Sequence, residues 1–477
     1  MMGPSTDAPR NREDMPARIL CVTSGLAGML YSSVELARRL TAAGHRLTYA
    51  SYPHTRDLVE LHGFRFLPLD RSRYDEFLEI DRKSGALNRL FNLSSRRQRA
   101  IESLAVDGFA DRVSALQPDL VLIDGEMHEH IIAASELSVR LALLNTFASI
   151  WRQPGLPPAH CMVRPGVGWK GTRTGTALLW IALRLKKKFK ASRLRARRIG
   201  CDRLSILRQL ALGVGFDLGS ETDDSQWLTP FTYRRLPVLS LHALEFEFPH
   251  RPPELVQYVG PMVLESRNDR RMTPDEQFEL EAVFERRRQA DGERKIIFAG
   301  FGSELSTRLS LIERLLGVVR DRPNWDLVIS LSGRMKPVDL GRLPERVCAF
   351  SWVPQMTVMR HVDAVVTHGG INTIDECVVN GLPMLVYCGN ETDMAGNTAR
   401  IAYHGIGIAG DLRRDSTADI RRHIDRLFSE PGFAINLKRL QRSYLAYAED
   451  RVAERVVESL VGQQLPDRSL FSPGADS

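Results

Sequence analysis

The stretch VVTHGGINTIDECVVNG, which begins at Val365, has the residue types of a phosphate-binding corner. Two β-branched residues predict the end of a buried strand, and the His-Gly-Gly step after them predicts a tight loop. The residues from 371 to 380 have the pattern of a helix, with Gly381 placed to end it. The free N–H groups and positive dipole end of such a helix favour a phosphate or pyrophosphate. The alternative is an ordinary strand-to-helix turn, in which His368 is a surface residue and Asn372 a local helix cap.

The N-terminal part of the chain has the order of elements expected of a doubly wound α/β domain. Strand patterns recur at 19–22, 46–51, 64–69 and 120–123. A helix is predicted after the first strand, capped by Ser32 or Ser33 and ended by Gly44. Asp124 follows the last of these strands, at the carboxyl end where open α/β sheets bind ligands.

The same order of elements restarts in the C-terminal part, after the proline-rich RPPELVQYVGPMV, which is predicted to be a linker. Strands are predicted within KIIFAGFGSE, WDLVISLSG, VCAFSWV, DAVVTH and PMLVYC. The expected fold class is therefore α/β, with two Rossmann-like doubly wound domains joined near residue 255 and facing each other across a cleft. A ligand with two unlike parts would fit such a cleft.

The composition is typical of a globular protein, with 43% hydrophobic and 26% charged residues. A chain of 477 residues is too long for one core and predicts two or three domains. The start has no apolar signal-peptide core and no stretch is apolar enough to span a bilayer, so we expect a cytoplasmic protein. The six cysteines lack CxxC spacing, which indicates reduced thiols and neither a zinc site nor a disulfide framework.

The net charge of +7 includes a strongly basic segment that follows the apolar TALLWIALRL. Nine lysines and arginines lie between 184 and 198 with no acid among them. Four apolar residues at helical spacing precede these basic residues or lie among them: Leu178, Ile181, Leu185 and Phe189. The pattern indicates either an interfacial helix at an anionic membrane surface or the solvated face of an ordinary insertion. Nucleic acid is not an expected partner, because no aromatic residues interleave with the basic ones.

The C-terminal half carries a recognisable signature. SWVPQMTVMRHVDAVVTHGGINTIDECVVNGLPMLVYC, followed by DMAGNTARI, resembles the nucleotide-sugar motif of the UDP-glycosyltransferase superfamily, which contains plant secondary-metabolite, macrolide and carotenoid enzymes. The resemblance is specific over residues 352–400 and follows the order of elements over the whole chain. It implies a GT-B fold. The implied regions are a disordered leader at 1–15, an acceptor-binding domain at 16–250 with an insertion near 172–200, a nucleotide-sugar domain at 251–435, and a helix with a tail at 436–477 that packs back.

The resemblance also implies roles for individual residues. The implied donor-binding residues are Gly302, Ser303, Trp352, Val353, Gln355, His368, Gly369, Gly370, Asn372, Thr373, Glu376, Asp393 and Met394. Trp352 would stack on the base of the donor, Gln355 would bond the base or ribose, and Glu376 would accept the ribose hydroxyls.

The phosphates of the donor would be held by a second group within this set. His368 would contact the pyrophosphate, with Asn372 and Thr373 adding donors at the start of the helix. Gly302 and Ser303 match the other loop that approaches the phosphates.

Two positions depart from the family pattern. The family's sugar-contacting acid is commonly followed by glutamine, whereas Asp393 here is followed by Met394, so the sugar is expected to lack a hydroxyl or to have another configuration. Members of the family usually carry a Gly-His pair in the loop after the first strand, and its histidine is the catalytic base. The corresponding pair here is Gly28-Met29, so Met29 stands in place of that histidine.

The general base must then be a different residue. Asp124 matches the aspartate that orients the family's histidine, and apolar surroundings could raise its pKa and let it act directly. His128 has the more suitable intrinsic pKa but is close to the following helix. We therefore favour Asp124 over His128. The alternative is that Asp124 caps that helix and that the acceptor is acidic enough to need no base.

The expected function is that of an inverting glycosyltransferase that moves a hexose from a UDP- or TDP-sugar, such as UDP-glucose, to a lipophilic small molecule. The candidate acceptor and loop residues are Gly28, Met29, Phe147 and Trp151, and the lipophilic acceptor is inferred from the apolar and aromatic residues of NTFASIWRQPGLPP and from the apolar-basic insertion. We expect no metal and no other cofactor, and a monomer or homodimer. Two alternatives stay open: a catalytically silent homologue that binds a nucleotide sugar and assists an active enzyme, and a transferase acting on a lipid at the membrane surface.

Overall fold

The computed structural model describes residues 16–266, 272–290, 293–302, 309–389 and 393–462, apart from the side chains of residues 86 and 87. The predicted leader, the end of the predicted tail and Ser303 lie outside the described residues.

The described strands form two parallel sheets and one short antiparallel pair. They are β1 (Arg18–Val22), β2 (Arg46–Ser51), β3 (Arg65–Pro68), β4 (Leu120–Asp124), β5 (Arg140–Asn145), β6 (Thr222–Asp223), β7 (Thr232–Tyr233), β8 (Val238–Ser240), β9 (Val256–Tyr258), β10 (Lys295–Gly300), β11 (Trp325–Ser330), β12 (Val347–Phe350), β13 (Ala364–Thr367), β14 (Met384–Val386) and β15 (Gly407–Ala409).

Helices connect most of these strands and cover both faces of the sheets. They are α1 (Ala27–Ala42), α2 (Arg56–Leu61), α3 (Tyr74–Lys83), α4 (Ala86–Phe91), α5 (Leu93–Glu102), α6 (Phe109–Leu116), α7 (His128–Ala134), α8 (Arg173–Arg198), α9 (Arg203–Gly213), α10 (Leu218–Glu221), α11 (Pro274–Gln289), α12 (Leu309–Arg320), α13 (Gln355–Met359), α14 (Ile371–Val379), α15 (Met394–His404), α16 (Thr417–Ser429), α17 (Pro431–Glu449) and α18 (Val452–Gly462).

The first sheet has seven parallel strands in the order β3-β2-β1-β4-β5-β8-β9. Its central strands are continuous apolar runs, because both faces of a parallel sheet are covered by helices. The sequence order reverses beside β1, where β4 follows on the side opposite β2, and ligands bind at such a switch point in open α/β sheets.

One expectation about the linker was wrong. RPPELVQYVGPMV contains β9, which pairs with β8 and is the edge strand of the first sheet. The first sheet therefore extends past the predicted boundary at 250. The prolines flank this short strand at the sheet edge, where a missing backbone donor is tolerated.

The second sheet has six parallel strands in the order β12-β11-β10-β13-β14-β15. It switches direction between β10 and β13, in the same way as the first sheet. The prediction of two Rossmann-like doubly wound halves is thus confirmed, and each half has a switch point at the carboxyl ends of its strands.

The first helix begins earlier than the sequence predicted. α1 starts at Ala27, so Ser32 and Ser33 lie inside the helix and do not cap it. Their hydroxyls donate instead to the carbonyl oxygens of Gly28 and Leu30. This intrahelical bonding satisfies both hydroxyls without a capping role.

The last two helices connect the halves. Leu437, Leu440 and Tyr444 of α17 pack into the core of the C-terminal half. Ala453 and Val457 of α18 pack with α1 and the first sheet. The chain therefore returns to the N-terminal half before the described residues end. Across the described ranges, no helix combines the length and apolar character needed to cross a membrane.

Candidate active site

The phosphate corner forms at the carboxyl end of β13, as the sequence predicts. Gly369 has a φ of +90°, and a Cβ there would lie 3.0 Å from Val386 Cγ1, so only glycine fits without strain. Gly370 is the N-cap of α14, and no side chain caps the helix. The first N–H groups of α14 are therefore available to an anionic ligand.

The imidazole of His368 lies between two glycine loops. A Cβ on Gly370 would lie 2.9 Å from His368 Nε2, and a Cβ on Gly302 would lie 3.3 Å from His368 Cε1. Gly302 follows β10, which is the neighbour of β13 in the sheet. The structure therefore brings His368, Gly302 and the start of α14 together at the switch point of the second sheet.

Asn372 makes a contact that the sequence did not predict. Its Nδ2 donates to the carbonyl oxygen of Gly28 at 2.8 Å, and its Oδ1 lies 3.3 Å from Ser32 Oγ. The amide therefore joins the start of α14 to the start of α1, in the opposite half. Thr373, in the same first turn, is half-buried. The geometry gives Asn372 a structural partner where the sequence predicted a phosphate.

Two of the predicted base and ribose contacts bond each other, and the other two pack elsewhere. Gln355 Nε2 donates to Glu376 Oε2 at 2.5 Å, so two predicted donor-binding residues form a pair. Trp352 packs on Gly333, where a Cβ would lie 2.5 Å from the indole Nε1. Val353 is buried in the core, and its side chain contributes packing.

A buried pair behind α14 holds it in place. Tyr444 of α17 donates its hydroxyl proton to Asp375 Oδ1 at 2.9 Å. Burial raises the pKa of Asp375 well above its ordinary value, although the hydrogen bond from Tyr444 acts in the opposite direction. The contact anchors the helix that carries Glu376.

Asp393 and Met394 lie at the start of α15. Asn397 Nδ2 donates to Asp393 Oδ2 and to the Gly369 carbonyl oxygen, both at 3.1 Å, which links Asp393 to the phosphate corner. Burial raises the pKa of Asp393. Met394 is half-buried and packs against the core of the C-terminal half, so only part of its side chain is available to a sugar.

Asp124 is 1% exposed at the end of β4. Its two carboxylate oxygens accept the N–H groups of Glu126 at 3.1 Å and Ser24 at 3.3 Å. Burial raises its pKa, opposed by these hydrogen bonds. The carboxylate therefore holds the turn after β4 to the loop after β1, and it offers little surface to an acceptor.

The geometry argues against His128 as a general base. Its Nε2 lies 3.2 Å from the Thr229 carbonyl oxygen and must donate there, while Nδ1 lies 3.2 Å from the Tyr233 hydroxyl. Burial lowers the pKa of His128 to about 4. The residue lies in the first turn of α7, packed against Phe231 and away from solvent.

The Gly28-Met29 pair starts α1, but Met29 is buried in the core of the N-terminal half. The Gly28 carbonyl oxygen is the acceptor for Asn372. This pair therefore lies at the contact between the halves.

The predicted acceptor residues lie in the loop after β5. The Phe147 ring packs against Trp227 at a centroid distance of 5.0 Å, and Trp151 is half-buried nearby in the chain. The Phe147 carbonyl oxygen accepts hydrogen bonds from Asn145 and His242. Sequence reasoning missed Trp227, because it lies far from this loop in sequence.

A separate cavity of about 330 Å³ lies outside this site. It is lined by Phe284, Arg287, Arg288, Arg360 and His361. These residues lie at the amino ends of the second sheet's strands, opposite the phosphate corner, and the three arginines already pair with carboxylates. We assign it no role in the reaction.

The chain matches the family model of UDP-glucoronosyl and UDP-glucosyl transferases over residues 242–446. It is similar to 4'-demethylrebeccamycin synthase of Lentzea aerocolonigenes, with 26% identity over 94% of this chain and 100% of the relative. It is also similar to oleandomycin glycosyltransferase of Streptomyces antibioticus, with 25% identity over 95% of this chain and 92% of the relative.

Solved structures show the same fold. The calicheamicin glycosyltransferase CalG4 superposes with a TM-score of 0.64 at 18% identity, over 94% of this chain and all of that one. The glycotransferase of kitacinnamycin gives a TM-score of 0.61 at 22% identity, over 95% of this chain and all of that one. The chain is a glycosyltransferase with a GT-B fold, and its residues 242–446 match the family of UDP-glucoronosyl and UDP-glucosyl transferases.

Proposed function

We propose that the protein transfers a hexose, with inversion, from a UDP- or TDP-sugar to a lipophilic natural-product acceptor. The observation that carries the proposal is the grouping of Gln355, Glu376 and His368 around the uncapped start of α14. This grouping offers contacts for the ribose hydroxyls and the diphosphate along one edge of the second sheet. The edge of the first sheet, with Asp124, supplies the other wall of the cleft.

Inversion follows from a single displacement at the anomeric carbon. The nucleoside diphosphate leaves toward the C-terminal half, and the acceptor hydroxyl attacks from the N-terminal half on the opposite side. No protein nucleophile is needed, so the configuration at the anomeric carbon inverts once.

We propose that the leaving diphosphate needs no metal ion. The dipole and free N–H groups of α14 and the imidazole of His368 can stabilise its developing negative charge. An excess of chelator should leave the transfer rate unchanged. A loss of activity that added Mg²⁺ restores would contradict this part of the proposal.

The acceptor class is supported by the aromatic residues around the loop after β5 and by the relatives. Phe147, in the loop after β5, packs against Trp227. Two relatives that span most of the chain are named 4'-demethylrebeccamycin synthase and oleandomycin glycosyltransferase, from which we infer a natural-product acceptor, and we propose that it is lipophilic. Aromatic walls suit such acceptors.

The donor can be identified by thermal shift with UDP, TDP and GDP and their sugars. A ligand that binds only the folded state raises its melting temperature by mass action. We expect UDP or TDP, but not GDP, to raise it, and the matching sugar to be transferred or hydrolysed. Binding of none of these nucleotides would overturn the proposed function.

We also propose that α8 places the protein at an anionic membrane surface. Leu178, Ile181, Leu185 and Phe189 are all exposed, the last two by 62% and 72%. Trp180 faces inward, and its Nε1 donates to the Leu156 carbonyl oxygen at 2.7 Å.

The basic residues of α8 are not all available to lipid. Lys187 faces inward, because its Nζ donates to the carbonyl oxygens of Gln226 and Leu228. The exposed lysines and arginines of the second half flank the apolar stripe, as in helices that lie in a lipid interface.

Sedimentation with vesicles tests this placement. The wild type should bind vesicles containing phosphatidylserine but not neutral phosphatidylcholine vesicles, and the double variant Leu185→Glu, Phe189→Glu should lose binding. The variant should keep the donor-induced thermal shift, since both side chains are exposed. Equal recovery of wild type and variant in the supernatant would contradict the placement.

A further inference from the structure

The turn between β4 and α7 holds a carboxylate that none of the assignments above uses. Glu126 lies two residues after Asp124, and its backbone N–H donates to Asp124 Oδ1 at 3.1 Å. The preceding Gly125 donates its N–H to the Leu144 carbonyl oxygen at 3.0 Å. The backbone of the turn is thus fixed on both sides, while the Glu126 side chain is exposed.

Glu126 lies at the end of the first sheet where open α/β sheets bind ligands. It follows the carboxyl end of β4, at the switch point of the first sheet. The charges that act on it come from Asp124, directly beneath the turn, and from Asp393, at the start of α15 in the opposite half. Asp393 is joined through Asn397 to the phosphate corner. The carboxylate therefore follows a strand end at the switch point of the first sheet and lies within electrostatic range of an acid in the opposite half.

The other candidates around this turn are poorly placed to accept a proton. Asp124 is almost fully buried, and both its oxygens are engaged by backbone N–H groups. His128 has both ring nitrogens in polar contacts. Met29, at the family's histidine position, cannot accept a proton and lies in the core.

We propose that Glu126 is the general base of the transfer reaction, taking the place of the histidine that this chain lacks. The inference rests on the proposed function, because it assumes an alcohol acceptor. In the reaction, the acceptor O–H gives its proton to the Glu126 carboxylate as its oxygen bonds to the anomeric carbon. The bond from that carbon to the diphosphate oxygen breaks, and the nucleoside diphosphate leaves with the electron pair.

The environment of Glu126 suits this role. Desolvation, together with the neighbouring charges of Asp124 and Asp393, raises the pKa of Glu126 to about 7. The side chain is exposed to solvent, and the charge of Asp393 in the opposite half acts on it. A base with a pKa near the working pH combines a populated ionised form with useful basicity. Asp124 is then a positioning residue that holds the turn and keeps a negative charge beneath it.

Single-turnover kinetics with Glu126→Gln, Glu126→Asp and the control Glu60→Gln test the inference. Glu60 is an exposed carboxylate on α2 that bonds Arg56, so its variant makes the same chemical change away from the cleft. We expect Glu126→Gln to slow the chemical step by roughly 100-fold or more. Glu126→Asp should retain a measurable rate, and Glu60→Gln should match the wild type.

The pH profile separates a base from a structural residue. Wild-type kcat/KM should rise tenfold per pH unit and level off above about pH 7, because the base must be ionised. We call this rise the pH limb, and Glu126→Gln should lose it. Asp124→Asn and Asp393→Asn each remove a negative neighbour, so each should move the limb to lower pH whatever its effect on the absolute rate.

The outcomes distinguish the inference from the proposed function. If the wild type neither binds UDP or TDP in thermal shift nor transfers a sugar, the proposed function fails. If the wild type transfers a sugar but Glu126→Gln keeps its rate and pH limb, only the base assignment is overturned. If Glu126→Gln also loses the nucleotide-induced thermal shift, Asp124→Asn and Asp393→Asn provide the test. A pH limb at lower pH in both variants supports Glu126 as the base, and a limb at the wild-type pH overturns the assignment.

His54 is the alternative general base with which Glu126 is compared. Its exposed imidazole packs beside Gly25 in the loop after β1, where a Cβ would lie 3.2 Å from the ring. It follows β2, two strands away from β4 in the sheet. A loss of the pH limb in His54→Ala, with Glu126→Gln unchanged, would assign the proton to His54 and overturn the inference.

Discussion

Arg400 of α15 bonds Glu247, which precedes β9, and this buried ion pair joins the two halves of the molecule. Arg400 Nε lies 2.8 Å from Glu247 Oε2, its Nη2 lies 2.6 Å from the same oxygen, and both side chains are almost fully buried. Glu247 Oε1 also accepts the N–H of Ser149 at 2.5 Å. One carboxylate thus connects α15, the helix that follows Asp393, with the loop that carries Phe147 and Trp151.

We expect Arg400→Ala to lower the free energy of unfolding by about 3 to 5 kcal/mol, because it leaves the Glu247 carboxylate buried without its partner. Urea denaturation measures the change. Arg421→Ala is the control, since Arg421 pairs with Asp321 at the surface and should contribute less than about 1 kcal/mol. A loss in Arg400→Ala no larger than in the control would show that water compensates the carboxylate.

The Arg400–Glu247 pair also predicts that the free energy of unfolding decreases at acid pH. Burial acts to raise the pKa of Glu247, but Arg400, His242 and His250 outweigh it and hold the pKa below its ordinary value. The stabilisation is therefore complete above the unfolded-state value of about 4.5 and is lost as the pH falls through the lower folded-state value. Urea midpoints from pH 7 to pH 3 should show a smaller acid-dependent loss in Glu247→Gln than in the wild type.

His368→Ala should weaken nucleotide binding and slow transfer together. One charge-assisted contact to the diphosphate is worth about 1.5 to 3 kcal/mol, so each effect should be roughly 10-fold to 100-fold. The fold should survive, because His368 follows the end of β13 and is only half-buried. Calorimetric titration with UDP or TDP measures the affinity, with His361→Ala, at the opposite edge of the sheet, as the control. Unchanged affinity and rate in His368→Ala would remove the imidazole from the phosphate site.

Gly333→Ala should weaken nucleotide binding by displacing the Trp352 indole. A Cβ at Gly333 would lie 2.5 Å from the indole Nε1. Gly108→Ala is the control, since Gly108 has a similar φ of +67°, against +64° for Gly333, and has open space around the new Cβ. Both variants place a Cβ at a positive φ, but only Gly333→Ala should reduce the thermal shift with UDP or TDP. Equal shifts would mean that Trp352 does not stack on the base.

Met394→Gln should favour donor sugars that carry the full set of hydroxyls. One polar contact of this kind is worth about 1 to 3 kcal/mol in relative specificity. Competition between a UDP-hexose and its deoxy counterpart measures the ratio of kcat/KM values, with Met394→Leu as the apolar control. If Met394→Gln leaves the ratio at the wild-type value, the side chain is directed to the core that it already contacts and not to the sugar.

The sequence by itself determined the elements and the corner between β13 and α14. Apolar runs bounded by glycines predicted the main strands of both sheets, because a strand covered on both faces needs continuous apolar residues. The His-Gly-Gly step predicted the loop, and the structure has Gly369 at a φ that favours glycine. These are properties of neighbouring residues, which a local pattern can record.

Only the tertiary structure decided which groups face each other across the cleft. The contact of Asn372 with Gly28 spans 344 positions, and that of Arg400 with Glu247 spans 153. The placement of β9 in the first sheet and the inward orientation of His128 likewise depend on distant partners. Glu126 was passed over because its residue type and spacing resemble those of any surface glutamate. Its significance comes from Asp393, which the packing of the two halves brings within reach of its charge. Electrostatic interactions depend on distance in space and not on separation in sequence, so folding alone could single out this carboxylate.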